Sequence, residues 1–186
     1  MPFASEDGAI TARLDTEEAG LLRDLTGQLI ELLANRSTES AGSTNPADLL
    51  LAQLGIGGSA DAPLDPALAR LLPDAYRGDD EAASEHRQLT ELGLIDRKIG
   101  NAQALLHSLD GDGQAITPAA VRLDDSAVQS WLRTLTDLRL TLAARLEIEV
   151  DGDEGRDETE LDHAMQGVYN WLGYLQSMLL DAIDTE

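Results

Sequence analysis

Residues Trp131–Leu146 read WLRTLTDLRLTLAARL. With Val128 just upstream, the large apolar side chains fall at Trp131/Leu132, Leu135, Leu138 and Leu142, in steps of three and four that mark one face of an α-helix. The spacing predicts a helix over about Ala127–Ile148, capped by Asp124 or Asp125. Asp137, Arg139 and Arg145 interrupt the leucines, and a plain bundle helix has no need of them. Where such groups are partly buried they must pair, because an unpartnered buried charge is costly.

The same pattern extends outward in both directions. Upstream, Leu92, Ile95, Ile99, Ala102, Leu106 and Leu109 form the seam of a long helix over Asp80–Leu109, with Asp79, Asp80 and Glu81 suited to its positive N-terminal end. Asn45-Pro46 and Asp65-Pro66 each read as an N-cap followed by Pro at the first helical position, starting short helices near Ala47–Leu54 and Ala67–Leu72. Pro73 stops the second. Downstream, Leu161, Met165, Val168, Leu172, Leu175 and Leu179 predict a last helix over about Glu158–Ile183. Asn35–Asn45 and the acidic run Asp151–Asp157 read as mobile loops within a single domain over residues 1–186.

Near the start, Asp15 and Glu18 have the spacing of a capping box, opening a helix that reads as far as Ala34. Ala12–Thr26 (ARLDTEEAGLLRDLT) is echoed by Val121–Thr136 (VRLDDSAVQSWLRTLT) with one residue inserted. Each copy is a short strand, an acidic cap and an amphipathic helix. The strands, Ala9–Leu14 and Ala120–Leu123, are expected to pair. The fold class is therefore mostly α: a helical bundle with a small two-stranded β ribbon beside it.

Composition narrows the function. Asp and Glu outnumber Lys and Arg by 35 to 13, for a net charge of −22. A duplex is bound by neutralising its phosphates with basic side chains, so no direct nucleic-acid partner is expected, and an anionic membrane surface is equally unsuited. Basic protein surfaces are the favoured electrostatic partners. Lys98 is the only lysine, and the preference for Arg with abundant Ala reads as a high-GC genome or a salt-adapted surface. The absence of cysteine excludes disulfides, thiolate catalysis and zinc–thiolate sites. No basic n-region with an apolar core opens the chain and no long apolar run follows, so a cytoplasmic location is expected.

Nothing in the residues declares a reaction, and the chain is read as non-enzymatic, without cofactor or metal. Asp110-Gly-Asp112-Gly113 resembles half a calcium loop, but Gln114, Ala115 and Val121 stand where an oxygen ligand, Gly and Glu are required. His86, His107 and His163 lack ligand spacing; Glu85/His86 and Asp162/His163 do not make the Glu-x-x-His pairs of a di-iron bundle. A metal-dependent enzyme stays as a remote alternative. The polar decoration of three segments remains: Leu68–Arg77 (LARLLPDAYR), Trp131–Leu146 and Tyr169–Gln176 (YNWLGYLQ). Asp74, Tyr76, Arg77, Tyr169 and Trp171 are candidate partner-binding residues, of types common in interface hot spots. Asp137, Arg139 and Arg145 are candidate structural polar residues. Internal ion pairing, of Asp74 or Asp137 with an arginine, is the favoured alternative to docking, and Trp131 is assigned to the core.

In this order the three segments resemble an actinobacterial family of unknown-function domains, whose members are described as oxidative-stress transcriptional regulators (AosR-like) and are often encoded beside the ClpS adaptor. The likeness runs from ITARLDTEEAGLLRDL to YNWLGYLQSML. It implies a regulatory or adaptor protein that contacts another protein, a sigma factor of the transcription machinery in the first instance, or a component of ClpS-linked proteolysis in the second. The family's redox sensing implies a pair of cysteines, which this chain lacks. Thiol-based sensing therefore does not carry over. Oligomeric state is not set by the sequence.

Overall fold

The computed structural model describes residues 2–6, 9–40, 50–51, 54, 56–76, 78–110, 120–150 and 152–184. Strands β1 (Phe3–Glu6) and β2 (Ala9–Arg13) are followed by helices α1 (Thr16–Ser40), α2 (Pro66–Leu71) and α3 (Asp80–Asp110). Strand β3 (Ala120–Leu123), α4 (Asp125–Arg145) and α5 (Glu160–Asp184) complete the order. The protein is mostly helical with a small antiparallel sheet. Helix α4 is the hub: it packs against α1, α2, α3 and α5, while α1 also packs along α3.

The expected strands pair as anticipated, with Ile10 opposite Leu123 and Ala12 opposite Val121. The sheet is one strand wider than the ribbon read from sequence, because β1 adds to the outer edge of β2 with Phe3 opposite Ala12. Phe3 explains why so short a strand holds: its ring meets Trp131 edge-on at 5.7 Å, and both side chains are buried. Such an edge-to-face pair adds about 1 kcal/mol to the area the rings bury. Trp131, fully enclosed, keeps its indole N–H satisfied by the Ser108 hydroxyl at 2.8 Å.

The internal echo is structural: β2 leads into α1 as β3 leads into α4. The Asp15 backbone N–H donates to Glu18 at 3.0 Å and the Glu18 N–H to Asp15 at 2.9 Å, closing the capping box. Asp124 caps α4 through the Ala127 N–H at 2.8 Å, Asp65 caps α2 through Ala67 and Leu68, and Asp79 caps α3 through Ala82 at 3.0 Å.

Several boundaries move. Helix α1 continues through Asn35–Ser40, where the polar, small-residue composition predicts a loop, because Arg36 is held inside the protein. The helix start at Asn45-Pro46 lies outside the described residues, as do residues 111–114 of the turn that Asp110–Gln114 (DGDGQ) predicts. On α3 the fully enclosed leucine is Leu105 rather than Leu106, and on α5 the expected core residue Leu161 is exposed. The acidic loop after α4 is tied down by a ring of contacts. Arg156 N–H donates to Leu146 O at 2.6 Å, Gln166 reaches the carbonyls of Glu154 and Arg156, and Asp153 accepts from Glu149 and Gly155. No helix among the described residues is long and apolar enough to cross a membrane.

Candidate protein-docking surface

Asp74 and Tyr76 lie where α2 hands over to α3. Leu71 and Leu72 are buried, Pro73 ends the helical run, and the chain emerges onto the surface. Asp74 pairs with Arg87 of α3, the intramolecular bridge anticipated from sequence. Tyr76 is 52% exposed, its ring edge-on to His86 at 5.8 Å. Leu89, one turn along α3 from His86, and Leu64, just before α2, are exposed as well. Arg77 lies outside the described residues.

Beside this turn the chain forms a strap over α3, which the sequence did not announce. Leu92 N–H donates to Gly57 O at 3.0 Å, Arg87 Nη2 to Ala60 O at 2.8 Å, and Arg36 Nη2 to Asp61 O at 2.8 Å. A Cβ on Gly58 would sit 2.3 Å from Arg87 O, so only glycine lets the strap lie this close to the helix backbone. Beneath it Arg36 makes a two-pronged bond to Glu91 at 2.9 and 3.1 Å, both side chains buried. A forked guanidinium–carboxylate bond is the geometry that makes a buried pair tolerable.

Tyr169 and Trp171 are part-buried on α5 and face inward. Arg139 of α4 donates to Gln176 Oε1 at 2.9 Å and to the Tyr169 hydroxyl at 3.2 Å, and its guanidinium carbon lies 4.9 Å from the Tyr169 ring centre. Trp171 Nε1 reaches Glu18 Oε1, the capping-box carboxylate of α1, at 3.4 Å. The candidate binding residues thus divide. Asp74 and Tyr76 attach to α3, whereas Tyr169 and Trp171 fasten α5 to α4 and α1, so of the three aromatic candidates Tyr76 is the exposed one.

The structural polar residues all have partners. Asp137 is buried between α3 and α4 and pairs with Lys98 at 2.6 Å, a lysine where the sequence reading looked for an arginine. Burial pushes the Asp137 carboxyl above its ordinary pKa, against the opposing pull of Lys98. Arg145 donates to Asp65 at 2.7 Å, joining the end of α4 to the cap of α2. For Asp65 burial alone would raise the pKa, but the bonds from Arg145 and from the Ala67 and Leu68 amides outweigh it and hold the carboxyl low.

Asp162, one of the residues weighed as a metal ligand, is buried and accepts from the Thr159 hydroxyl at 2.8 Å, from the Thr159 and Glu158 amides, and from Arg156. The Thr159 hydroxyl, then Arg156, hold its pKa below the ordinary value. His163 pairs with Asp157. Among the described residues no three His, Asp or Glu side chains gather as a metal site would require.

A family model described as "Domain of unknown function (DUF2017)" matches residues 1–183. A Mycobacterium tuberculosis protein named "Oxidative stress regulator AosR" is 36% identical over 181 residues, covering 90% of this chain and 78% of its own length. A Mycobacterium leprae protein named "Putative oxidative stress regulator AosR" is 34% identical over 184 residues, covering 89% and 78% respectively. No solved structure matches the chain.

Proposed function

The chain belongs to the DUF2017 family, and from that premise we propose that it is a non-enzymatic regulator in the oxidative-stress response. It acts by binding a protein of the transcription machinery, a sigma factor in the first instance. The observation that carries this reading is the 36% identity, over 90% of the chain, to relatives named as oxidative-stress regulators. The charge of −22 supports action through a protein rather than by contact with DNA phosphates. With no cysteine, the chain cannot itself register oxidants by a thiol–disulfide step, so the signal reaches it through its partner or through its own abundance. Tyr76, flanked by the Asp74–Arg87 pair, is the anchor on the side of this chain.

The test is affinity capture of partners from native lysate at moderate salt, read by mass spectrometry against an equally acidic unrelated bait. The expected result is selective recovery of a sigma factor or polymerase subunits, lost on Tyr76→Ala while the melting temperature is unchanged. Recovery of adaptor and protease subunits instead would move the function to ClpS-linked proteolysis. A profile identical to that of the acidic control would overturn protein docking as the function.

A further inference from the structure

Exposed apolar side chains gather on one part of the surface. Leu54, Ile56 and Leu64 of the strap segment are exposed, and Tyr76 and Leu89 join them from the turn after α2 and from α3. Helix residues three or four apart are surface neighbours. Leu89 therefore stands between His86, whose ring meets Tyr76, and Leu92, which lies under the strap 3.1 Å from the position a Cβ would take on Gly57. A row of apolar groups thus crosses α3 from Tyr76, through Leu89 at 63% exposure, to Ile56 beside Gly57. A contiguous apolar cluster rimmed by polar groups marks an interaction site, as scattered single side chains do not.

The charge around this row is one-sided. Between Leu54 and Leu89 the sequence holds seven carboxylates against three arginines. Two of those arginines are already committed within the chain: Arg87 to Asp74 and to Ala60 O, and Arg70 to Ile148 O at 2.6 Å. Asp61 on the strap and Asp80, Glu81 and Glu85 at the start of α3 are exposed, with no ion-pair partner among the described residues. Glu85 lies one turn before Leu89 on the same face. Two turns beyond Leu89, Asp96 and Arg97 are both exposed and offset each other. We propose that this row seats a cationic amphipathic segment of another protein. Its large apolar anchors pack on Leu89 and Tyr76, and its Lys or Arg side chains face Glu81, Glu85 and Asp61. Charge selects this occupant. A second copy of the chain would bring the same carboxylates face to face, and an anionic lipid surface would be repelled by them. A cationic segment is drawn in by the field that repels those two.

This inference rests on the regulatory reading in that it names the chemistry of the partner sought there. It is tested by titrating the full chain with a synthetic helical peptide that has leucines on one face and lysines on the other, read by backbone amide NMR shifts and by fluorescence anisotropy. A peptide of the same composition in scrambled order is the control of equal charge. The shifts are expected to centre on Ile56, Tyr76 and Leu89, with the amphipathic peptide binding about tenfold tighter than the scrambled one. Leu89→Lys keeps a good helix former at an exposed position, so the melting temperature is expected to hold while the affinity falls about tenfold. Tyr174→Lys, at an exposed site on α5, makes the same charge change and is expected to lower the affinity less than about threefold. Equal losses in the two variants, or equal binding of the two peptides, would show that net charge alone is at work and would overturn the proposal. Dimerisation of the chain by itself, seen in sedimentation and abolished by Leu89→Lys, would give the face to a second copy and overturn it too. The regulatory reading fails separately. Peptide binding here without selective capture from lysate would leave this surface standing and remove that reading, whereas selective capture that survives Leu89→Lys would do the reverse.

Discussion

At the scale of single residues, most polar groups drawn into the interior have been given partners, and the exceptions are informative. Thr26 and Thr134 are fully enclosed, and neither hydroxyl has a hydrogen-bond partner. A buried hydroxyl without a partner keeps its desolvation cost and gains nothing for it. Valine has the same shape and a similar helix propensity, so Thr134→Val is expected to stabilise the protein by about 1 kcal/mol, raising the melting temperature by about 2–4 °C. A thermal melt that falls instead would mean the hydroxyl is satisfied in solution by an enclosed water. Gly155 is the opposite case. Its φ is 71°, and an added Cβ would lie 2.6 Å from Ile148 and 2.7 Å from Leu146 O. Gly155→Ala therefore combines a left-handed backbone penalty with a clash against main chain that cannot swing away, and it is expected to cost about 2–3 kcal/mol in denaturant unfolding.

At the scale of elements, the strap over α3 depends on one buried pair, Arg36–Glu91. Removing one partner leaves a bare charge inside the protein, so Arg36→Met or Glu91→Leu alone is expected to cost about 3–5 kcal/mol, and the double substitution clearly less than either. Equal and additive losses in urea melts would show that the pair is not coupled. That pair also marks where the sequence stopped being legible. Helix existence, caps and the paired strands could be read because each has a local signature: a three–four stripe, an Asp before the stripe, alternation in β2. Arg36 follows Leu29 and Leu33 in the same helical phase, and Glu91 stands one turn before Ile95, so each charge sits on a core stripe. Phase alone could have flagged them, but not paired them, because their meeting depends on how α1 and α3 cross. The same holds for Lys98 with Asp137, and for Tyr169 and Trp171, whose residue types suggested a docking surface and whose contacts fasten α5 to its neighbours. Strand β1 was hidden for a different reason: Phe3 is its one strongly strand-favouring residue, and its partner Trp131 is distant in sequence.

At the scale of the whole molecule, two electrostatic effects oppose each other as the pH falls. The net charge of −22 strains the folded state at neutral pH, and protonation toward the isoelectric point near 4.2 relieves it. Burial raises the Asp137 pKa despite Lys98, so its protonation adds to that gain. Against this, Asp65, Asp124, Asp153 and Asp162 all titrate below their ordinary value when folded: Arg145 and backbone amides outweigh burial at Asp65, amides act first at Asp124 and Asp153, and the Thr159 hydroxyl acts first at Asp162. A depressed folded pKa means the unfolded chain takes up protons first. The stability these four contribute is thus complete above the ordinary value of 3.8 and is lost as the pH falls through and below it. The melting temperature is therefore expected to rise from pH 7 to about pH 5 and to fall steeply below about pH 4, with added salt raising it at pH 7 and flattening the first limb. Asp162→Asn separates the contributions. It removes the charge and replaces one of the two accepting oxygens of the Thr159 and Arg156 bonds with an amide NH2, and it costs progressively less as the pH falls below 3.8, where the unfolded wild type takes up a proton that the variant does not. The gap between the two melting curves should close on acidification. A gap of constant size from pH 7 to pH 2.5 would show that Asp162 acts by shape rather than by charge, and that the acid limb belongs to other carboxylates.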